Sequence, residues 1–531
     1  MGEQTFSFSG FSSVDWLVLV LYMVVLLVIG WVCNRRTKTT EQYLLADRKM
    51  SPFLAGISLY ATMFSVLSFV GYPGEIIQNG PVILIGYFVS LPLIYLMVGY
   101  VIIPFFMKVK ITSAYELLEE RLGSQIRMLG SGIFLLTRFV WMSLMLYTTS
   151  MVVITTLGWP ENTVFWISLV VGGFTALYTI YGGFGAVVIS DVFQFFVLFL
   201  GIVLTLVLIS FMTGGVGSWW PTGWQRHWAP QPFFSFDPTV RVTIVGSMLS
   251  GILWWLCTAA SDQMAVQRYL STKDVKTARR AFLFNSFADI SLSSALILIG
   301  LALMGFYLKN PEAFPSQFTL EANGDKFFPY FLGNFLPTGM SGLLTAGILA
   351  ATMSSLSSGL NSSATVIMKD FVERLAPNQF ASDSGKLRFI HGIVLVVAIL
   401  ALFGSQFMVW VPGNIVEVAG RTVNLFICPL FGLFFLAFFV SFATPFGAAM
   451  GAIYSLFSAV LIGYWSQITL GAELSFQWIS PVSFLTTLAF SCIFSLLPTR
   501  GKPARVLIFL GLLFLTPLVA IVLYVRSQNL V

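Results

Sequence analysis

Apolar segments close to twenty residues long recur from one end of this chain to the other, and no other feature restricts its fold so strongly. A helix of roughly 20 apolar residues crosses a bilayer. Fourteen such spans are expected, at about 13–33, 52–73, 82–106, 126–157, 162–181, 187–212, 241–261, 278–307, 339–368, 388–408, 414–440, 446–466, 479–498 and 505–526. The fold class is therefore an all-α polytopic membrane protein. With 57% hydrophobic and 9% charged residues, the composition excludes a soluble globular protein.

Charge orients the spans. Of the 28 Lys and Arg residues, twenty-one fall in alternate loops, five in the other loops, and Arg138 and Arg421 inside spans. The basic set marks the cytoplasmic side. Both termini are then expected outside the cytoplasm, in an inner or plasma membrane. The first run, Val14 to Cys33, lacks a preceding basic region and a clear cleavage site, so it reads as a retained helix. The net charge of +6 is scattered through loops and is no nucleic-acid signal. No phosphate loop or dinucleotide fingerprint is found, so no nucleotide is expected. Cys33, Cys257, Cys428 and Cys492 all lie in apolar runs and read as small buried hydrophobes.

One apolar span is interrupted by a polar run, Ala351 to Ser362. At helical spacing Ser354, Ser357, Ser358, Asn361 and Thr365 share one face, with Ser355 and Ala351 beside it. Hydroxyls and carbonyls are hard oxygen ligands for a small cation. The competing reading is a small-residue seam where two helices pack closely. A second span, Ser58 to Gly71, alternates small polar and apolar residues and leads into Pro73 and Gly74. It reads either as a broken helix exposing carbonyls at a site or as a kinked packing helix.

Ionisable residues within spans are functional candidates. Asp191 faces a functional site or is a helix N-terminal charge at the membrane edge. Arg138 faces a site or snorkels to the surface. Asp289 faces a site or pairs with another helix. Glu417 and Arg421, four apart, are expected to pair with each other.

Five motifs carry a resemblance. They are Glu41 to Arg48; Thr112 to Arg121; Tyr178 to Gly183 with Ala186-Val187 and Asp191 to Gln194; Asp262-Gln263 with Val266 to Leu270; and the serine run with Leu360-Asn361-Ser362. In this order they resemble the sodium:solute symporter family, which contains sodium-coupled sugar, sialic acid, proline, iodide and vitamin carriers. The resemblance implies a LeuT-type fold of two inverted five-helix repeats. These would be 52–212 and 241–440, with a leading helix at 13–33 and three C-terminal helices at 446–526, in one transporter domain over 1–531.

It also implies sites. The main sodium site would use the carbonyls of Ala61, Phe64 and Ala351 and the hydroxyls of Ser354 and Ser355. A second, seen in the sialic acid branch, would use Asp191, Ser354, Ser357 and Ser358. The solute site departs from the sugar carriers, with Ser68, Thr258 and Asp289 where they have Gln, Tyr and Lys. Arg138 lies close to the carboxylate-binding Arg of the sialic acid branch, and Ser65 and Ser68 match its hydroxyl-bearing positions.

The expected function is sodium-coupled import of a small organic solute by alternating access, with Na⁺ as coupling ion and no other cofactor. The chain is expected to be a carrier and not an enzyme. An acidic sugar or other carboxylate is favoured over a neutral hexose. The alternatives are a neutral sugar or amino-acid symporter, and a membrane sensor; the short tail after Val525 counts against the sensor.

Overall fold

The computed structural model describes residues 11–35, 39–109, 111–228, 232–376, 380, 382–411, 415–469 and 471–497. All its regular elements are helical. The principal ones are α1 (Ser13–Asn34), α2 (Pro52–Met63), α3 (Val66–Asn79), α4 (Val82–Met97), α5 (Ser124–Leu157), α6 (Val164–Thr213), α7 (Ile244–Ser261) and α8 (Gln263–Leu270). They continue with α9 (Val275–Lys309), α10 (Gly324–Asn334), α11 (Met340–Val366), α12 (Asp383–Ser405), α13 (Ile415–Phe439), α14 (Pro445–Gly463) and α15 (Ile479–Leu496).

Eleven helices among the described residues are long and apolar enough to cross a membrane, and α2 with α3, bent by 62°, makes a twelfth span. The expected spans 162–181 and 187–212 form one element here. Glu161–Thr213 has 53 residues, about 80 Å if straight, far beyond a hydrocarbon core of about 30 Å. It breaks at Gly183, whose φ of 58° and ψ of −161° suit only glycine. The expected span 505–526 lies outside the described residues.

Local chemistry fixes the ends. Ser12 and Asp15 form a capping box on α1. Asp15 Oδ1 also accepts from the Gly339 and Gly342 amides, at 2.9 and 2.7 Å, and so caps α11 from a second helix. Ser51 and Pro52 open α2. The second interruption in a span is at Asp262, whose φ of −90° and ψ of 119° separate α7 from α8. Its side chain caps α8 through the Met264 amide, at 2.9 Å. Each of the segments 52–212 and 241–440 therefore opens on a broken helix.

The most enclosed element is α11, against α6, α2 and α5. Its Gly, Ala and Ser residues let backbones approach closely where no hydrophobic force drives helices together in lipid. The same device joins α2 to α9: a Cβ on Gly56 would lie 2.3 Å from the Ala281 carbonyl oxygen. Outward faces carry exposed apolar side chains such as Trp166, Val207 and Phe211.

Candidate functional site

The α2–α3 break lies at Phe64–Ser65, before Gly71 and Pro73. Phe64 has φ −77° and ψ 128°, and Ser65 caps the new helix by accepting from the Leu67 amide at 3.2 Å. Carbonyls before the break thus lose their usual partners one turn on. Serines of α11 reach them instead. Ser354 Oγ donates to the Ala61 carbonyl at 2.6 Å. Ser355 Oγ donates to the carbonyls of Thr62 and Phe64 at 2.8 and 3.1 Å. Ala351 sits on α11, four residues before Ser355. Four of the five expected main-site residues are in direct contact, with Thr62 as an unexpected fifth oxygen. Three carbonyls and two hydroxyls form a neutral, hard donor set that suits an alkali cation.

Beside them lies Asp191, fully buried. Its Oδ2 accepts from Ser58 Oγ at 2.6 Å, Thr62 Oγ1 at 3.2 Å and Arg268 Nη2 at 2.9 Å. Arg268 also donates to Ser358 Oγ at 2.7 Å and Ser58 Oγ at 2.9 Å. Ser357 Oγ donates to the Ser354 carbonyl at 3.0 Å. Asp191 Oδ1 has no hydrogen-bond partner among the described residues. The expected second-site residues are adjacent, but Ser358 is committed to Arg268. Sequence reasoning assigned Arg268 to a basic loop and overlooked Ser58 and Thr62. The available signal was the Gln-Arg pair within a short apolar stretch, Ala265 to Leu270.

A cavity of ≈220 Å³ adjoins the break. Ser65, Ser68 and Asp289 line it, with Tyr60, Tyr72, Tyr87, Trp141, Trp254 and Trp255. Tyr87 donates its hydroxyl to Asp289 Oδ2, and Ser293 donates to Oδ1 at 3.0 Å. Among the described residues, no Lys, Arg or His lines it. The cavity lies toward the face opposite the basic loops, near the start of α13 and Phe476.

Arg138 and Thr258 are elsewhere. They line a separate space of ≈10 Å³ with Asp262. Arg138 Nη2 pairs with Asp262 Oδ2 at 3.1 Å, and its guanidinium lies 5.4 Å from the Trp141 ring centroid. Trp141 therefore separates the cavity from the ion pair. The α7–α8 break offers Arg138 a buried carboxylate nearer than Asp289 or Glu417. The expected Glu417–Arg421 pair is also corrected: Glu417 accepts from Arg241 Nε at 2.8 Å, and Arg421 pairs with Glu473. Arg241 spans Glu417 and the buried Glu75, a stronger demand than an i,i+4 contact.

Toward the basic loops the path below Trp141 is shut. Tyr115 donates to the Ser261 carbonyl at 2.8 Å, while Gln263 donates to the Thr112 carbonyl and accepts from the Ala114 amide, both at 2.8 Å. The five sequence motifs meet here. Gln267 donates to the Leu44 carbonyl and to Asn361. Tyr43 donates to the Thr179 carbonyl at 3.2 Å.

Comparison with known proteins adds four findings. The sequence profile of the sodium:solute symporter family matches residues 43–455. The sodium-dependent multivitamin transporter of Oryctolagus cuniculus is 32% identical, over 87% of this chain and 72% of its own. The sodium/sialic acid symporter SiaT of Proteus mirabilis is 29% identical, over 86% of this chain and 91% of its own. Among solved structures, a substrate-bound, outward-open Na⁺-coupled sialic acid symporter superposes with a TM-score of 0.81 at 26% identity, covering 91% of this chain and 98% of that one. The fold is the LeuT-type arrangement of these transporters.

Proposed function

The chain belongs to the sodium:solute symporter family, and from that premise we propose how this member divides the work of sodium-coupled solute import among its residues. The observation that carries the reading is the pair of α11 hydroxyls seated on the carbonyls of the α2–α3 break. Na⁺ binds there, on the carbonyls of Ala61, Thr62, Phe64 and Ala351 and the hydroxyls of Ser354 and Ser355. When the cation enters, each hydroxyl turns its proton away and offers its oxygen. The ion thereby ties α11 to the broken helix in one conformation, so its binding favours that state.

A second Na⁺ sits on Asp191 Oδ1 with Ser354 and Ser357, while Ser358 Oγ keeps Arg268 as its partner. The unpartnered oxygen supports this; the Arg268 pair takes up the other oxygen. The basic loops face the cytoplasm. With the cavity on the opposite face and the basic side shut by Tyr115, Gln263 and the Arg138–Asp262 pair, the conformation is outward-facing. Repeats 52–212 and 241–440 then move against each other to open the basic side.

The solute occupies the cavity beside Ser65, Ser68 and Asp289. An acidic sugar or other organic carboxylate is the first reading for its class, supported by likeness to the sodium/sialic acid symporter. A neutral sugar or amino acid is the second, favoured by Asp289 in a cavity that no basic side chain among the described residues lines. Purified protein in liposomes tests the function. Uptake of labelled sugars, sugar acids and amino acids under an inward Na⁺ gradient should exceed uptake under an equal K⁺ gradient. Equal uptake under both overturns sodium coupling.

A further inference from the structure

The solute cavity combines one acidic side chain with neutral donors and aromatic rings. Asp289, 5% exposed, receives two hydrogen bonds from neutral hydroxyls, Tyr87 and Ser293. Among the described residues it pairs with no Lys, Arg or His. A buried carboxylate without a countercharge is strongly unfavourable. Tyr60, Tyr72, Tyr87 and Trp255 line the same cavity, and aromatic rings attract cations through their quadrupoles.

The same cavity also holds neutral donors. Ser65 and Ser68 lie at the N-terminus of α3, a helix of 14 residues whose first amides point out of the helix. Trp141 also lines the cavity, and its Nε1 is buried with no hydrogen-bond partner among the described residues. A serine hydroxyl pair, a helix N-terminus and an indole N–H give the lining donors that fit a carboxylate.

A solute bearing only a carboxylate would place a second negative charge beside Asp289 in a space of ≈220 Å³. A neutral sugar would leave Asp289 without a countercharge. We infer that the transported solute is amphoteric: its carboxylate faces Ser65, Ser68 and Trp141, and its protonated amine sits on Asp289 within the aromatic wall. The inference rests on the symport reading above and specifies the solute of the same cavity.

Matched probes test it. Binding of alanine against lactate, phenylalanine against phenyllactate, and glucosaminate against gluconate is measured on the purified full chain in NaCl, by thermal shift and titration. Each pair differs in one amine. At least one amine member should bind at least about tenfold tighter than its hydroxyl partner, the scale of one buried charge interaction. Asp289→Asn should bring that pair to near parity, and Asp289→Glu should keep a preference. The shift produced by NaCl alone should persist in both variants, which shows them folded and able to bind sodium. If no amine member binds better than its partner, or if Asp289→Asn keeps the preference, the amphoteric assignment is wrong. Loss of the NaCl shift in the wild type would instead overturn the sodium reading, leaving the two failures distinct.

Discussion

Arg268 Nη2 lies 2.9 Å from Asp191 Oδ2, with the two side chains 1% and 0% exposed. The pair joins α8 to α6 at the level of the α2–α3 break, and Ser58 and Thr62 on α2 complete its hydrogen bonding. Within lipid such a pair persists only where both charges are matched. The proposed sodium binding gives Asp191 two tasks: Oδ2 neutralises Arg268, and Oδ1, without a hydrogen-bond partner among the described residues, would take a cation.

Asp191→Asn should therefore have two separable effects. The sodium Hill coefficient for solute uptake should fall from about two to about one as the second ligand set loses its charge. The melting temperature should also fall, because removing one partner of a buried ion pair costs about 3–5 kcal/mol. Sodium titrations of uptake, paired with melting curves, check both. A lower melting temperature with an unchanged coefficient would reduce Asp191 to the counter-ion of Arg268.

The Arg138–Asp262 pair is expected to act as a latch on the basic side. Cys257, fully buried, lines the same small space. Asp262→Asn should open it and increase Cys257 labelling by a permeant maleimide at least about tenfold, the change in an opening equilibrium from losing roughly 1.4 kcal/mol. Arg138→Lys should give a smaller increase, since it keeps the charge but loses the planar fork. Unchanged labelling in both variants, with a raised KM in Arg138→Lys, would return Arg138 to the role of solute ligand.

Much of this architecture is legible in the sequence, for a physical reason. A bilayer forces long apolar runs, and their lengths and flanking charges mark the spans. The serine face of α11 is equally visible, because hydroxyls are conspicuous among apolar neighbours. Partners across the fold are not visible. Glu417 and Arg421 look paired by spacing, yet Arg241 and Glu473 reach them from distant loops. Arg268 reads as a loop charge because its apolar stretch, Ala265 to Leu270, is too short to mark a span, and only the fold shows that α8 is buried. The break at Phe64 hides behind Gly71 and Pro73, which punctuate more strongly but sit inside α3. Gly183 is legible only as a glycine. Its need for positive φ, and the Tyr43 ring 2.7 Å from where a Cβ would stand, appear only in the fold.

Acidity should matter at α10, outside the membrane-spanning helices. Burial raises the Asp325 carboxyl to about 7; the Ile415 amide and Arg241 oppose the rise, while Glu75 and Glu417 add to it. Asp325 Oδ2 accepts from the Ile415 amide at 2.9 Å, at the start of α13. The folded state thus holds this proton more tightly than the unfolded chain, whose aspartates titrate near 4. Its contribution to stability is full below about pH 4 and declines as pH rises to about 7. Asp325→Asn should raise the melting temperature at pH 8 and leave it nearly unchanged at pH 4. Melting curves at the two pH values check this, and equal shifts at both would contradict the assignment.

The central claim is that the α11 serines and the α2–α3 carbonyls hold the coupling sodium, and ²²Na⁺ binding to the purified protein tests it most directly. Ser354→Ala and Ser355→Ala each remove a ligand but cost only about 1 kcal/mol in packing. Both variants should melt close to the wild type yet bind ²²Na⁺ at least about tenfold more weakly, the cost of one lost charge-assisted oxygen contact. Wild-type affinity in both, with normal melting, would mean that the serine face is a packing seam and that sodium binds elsewhere.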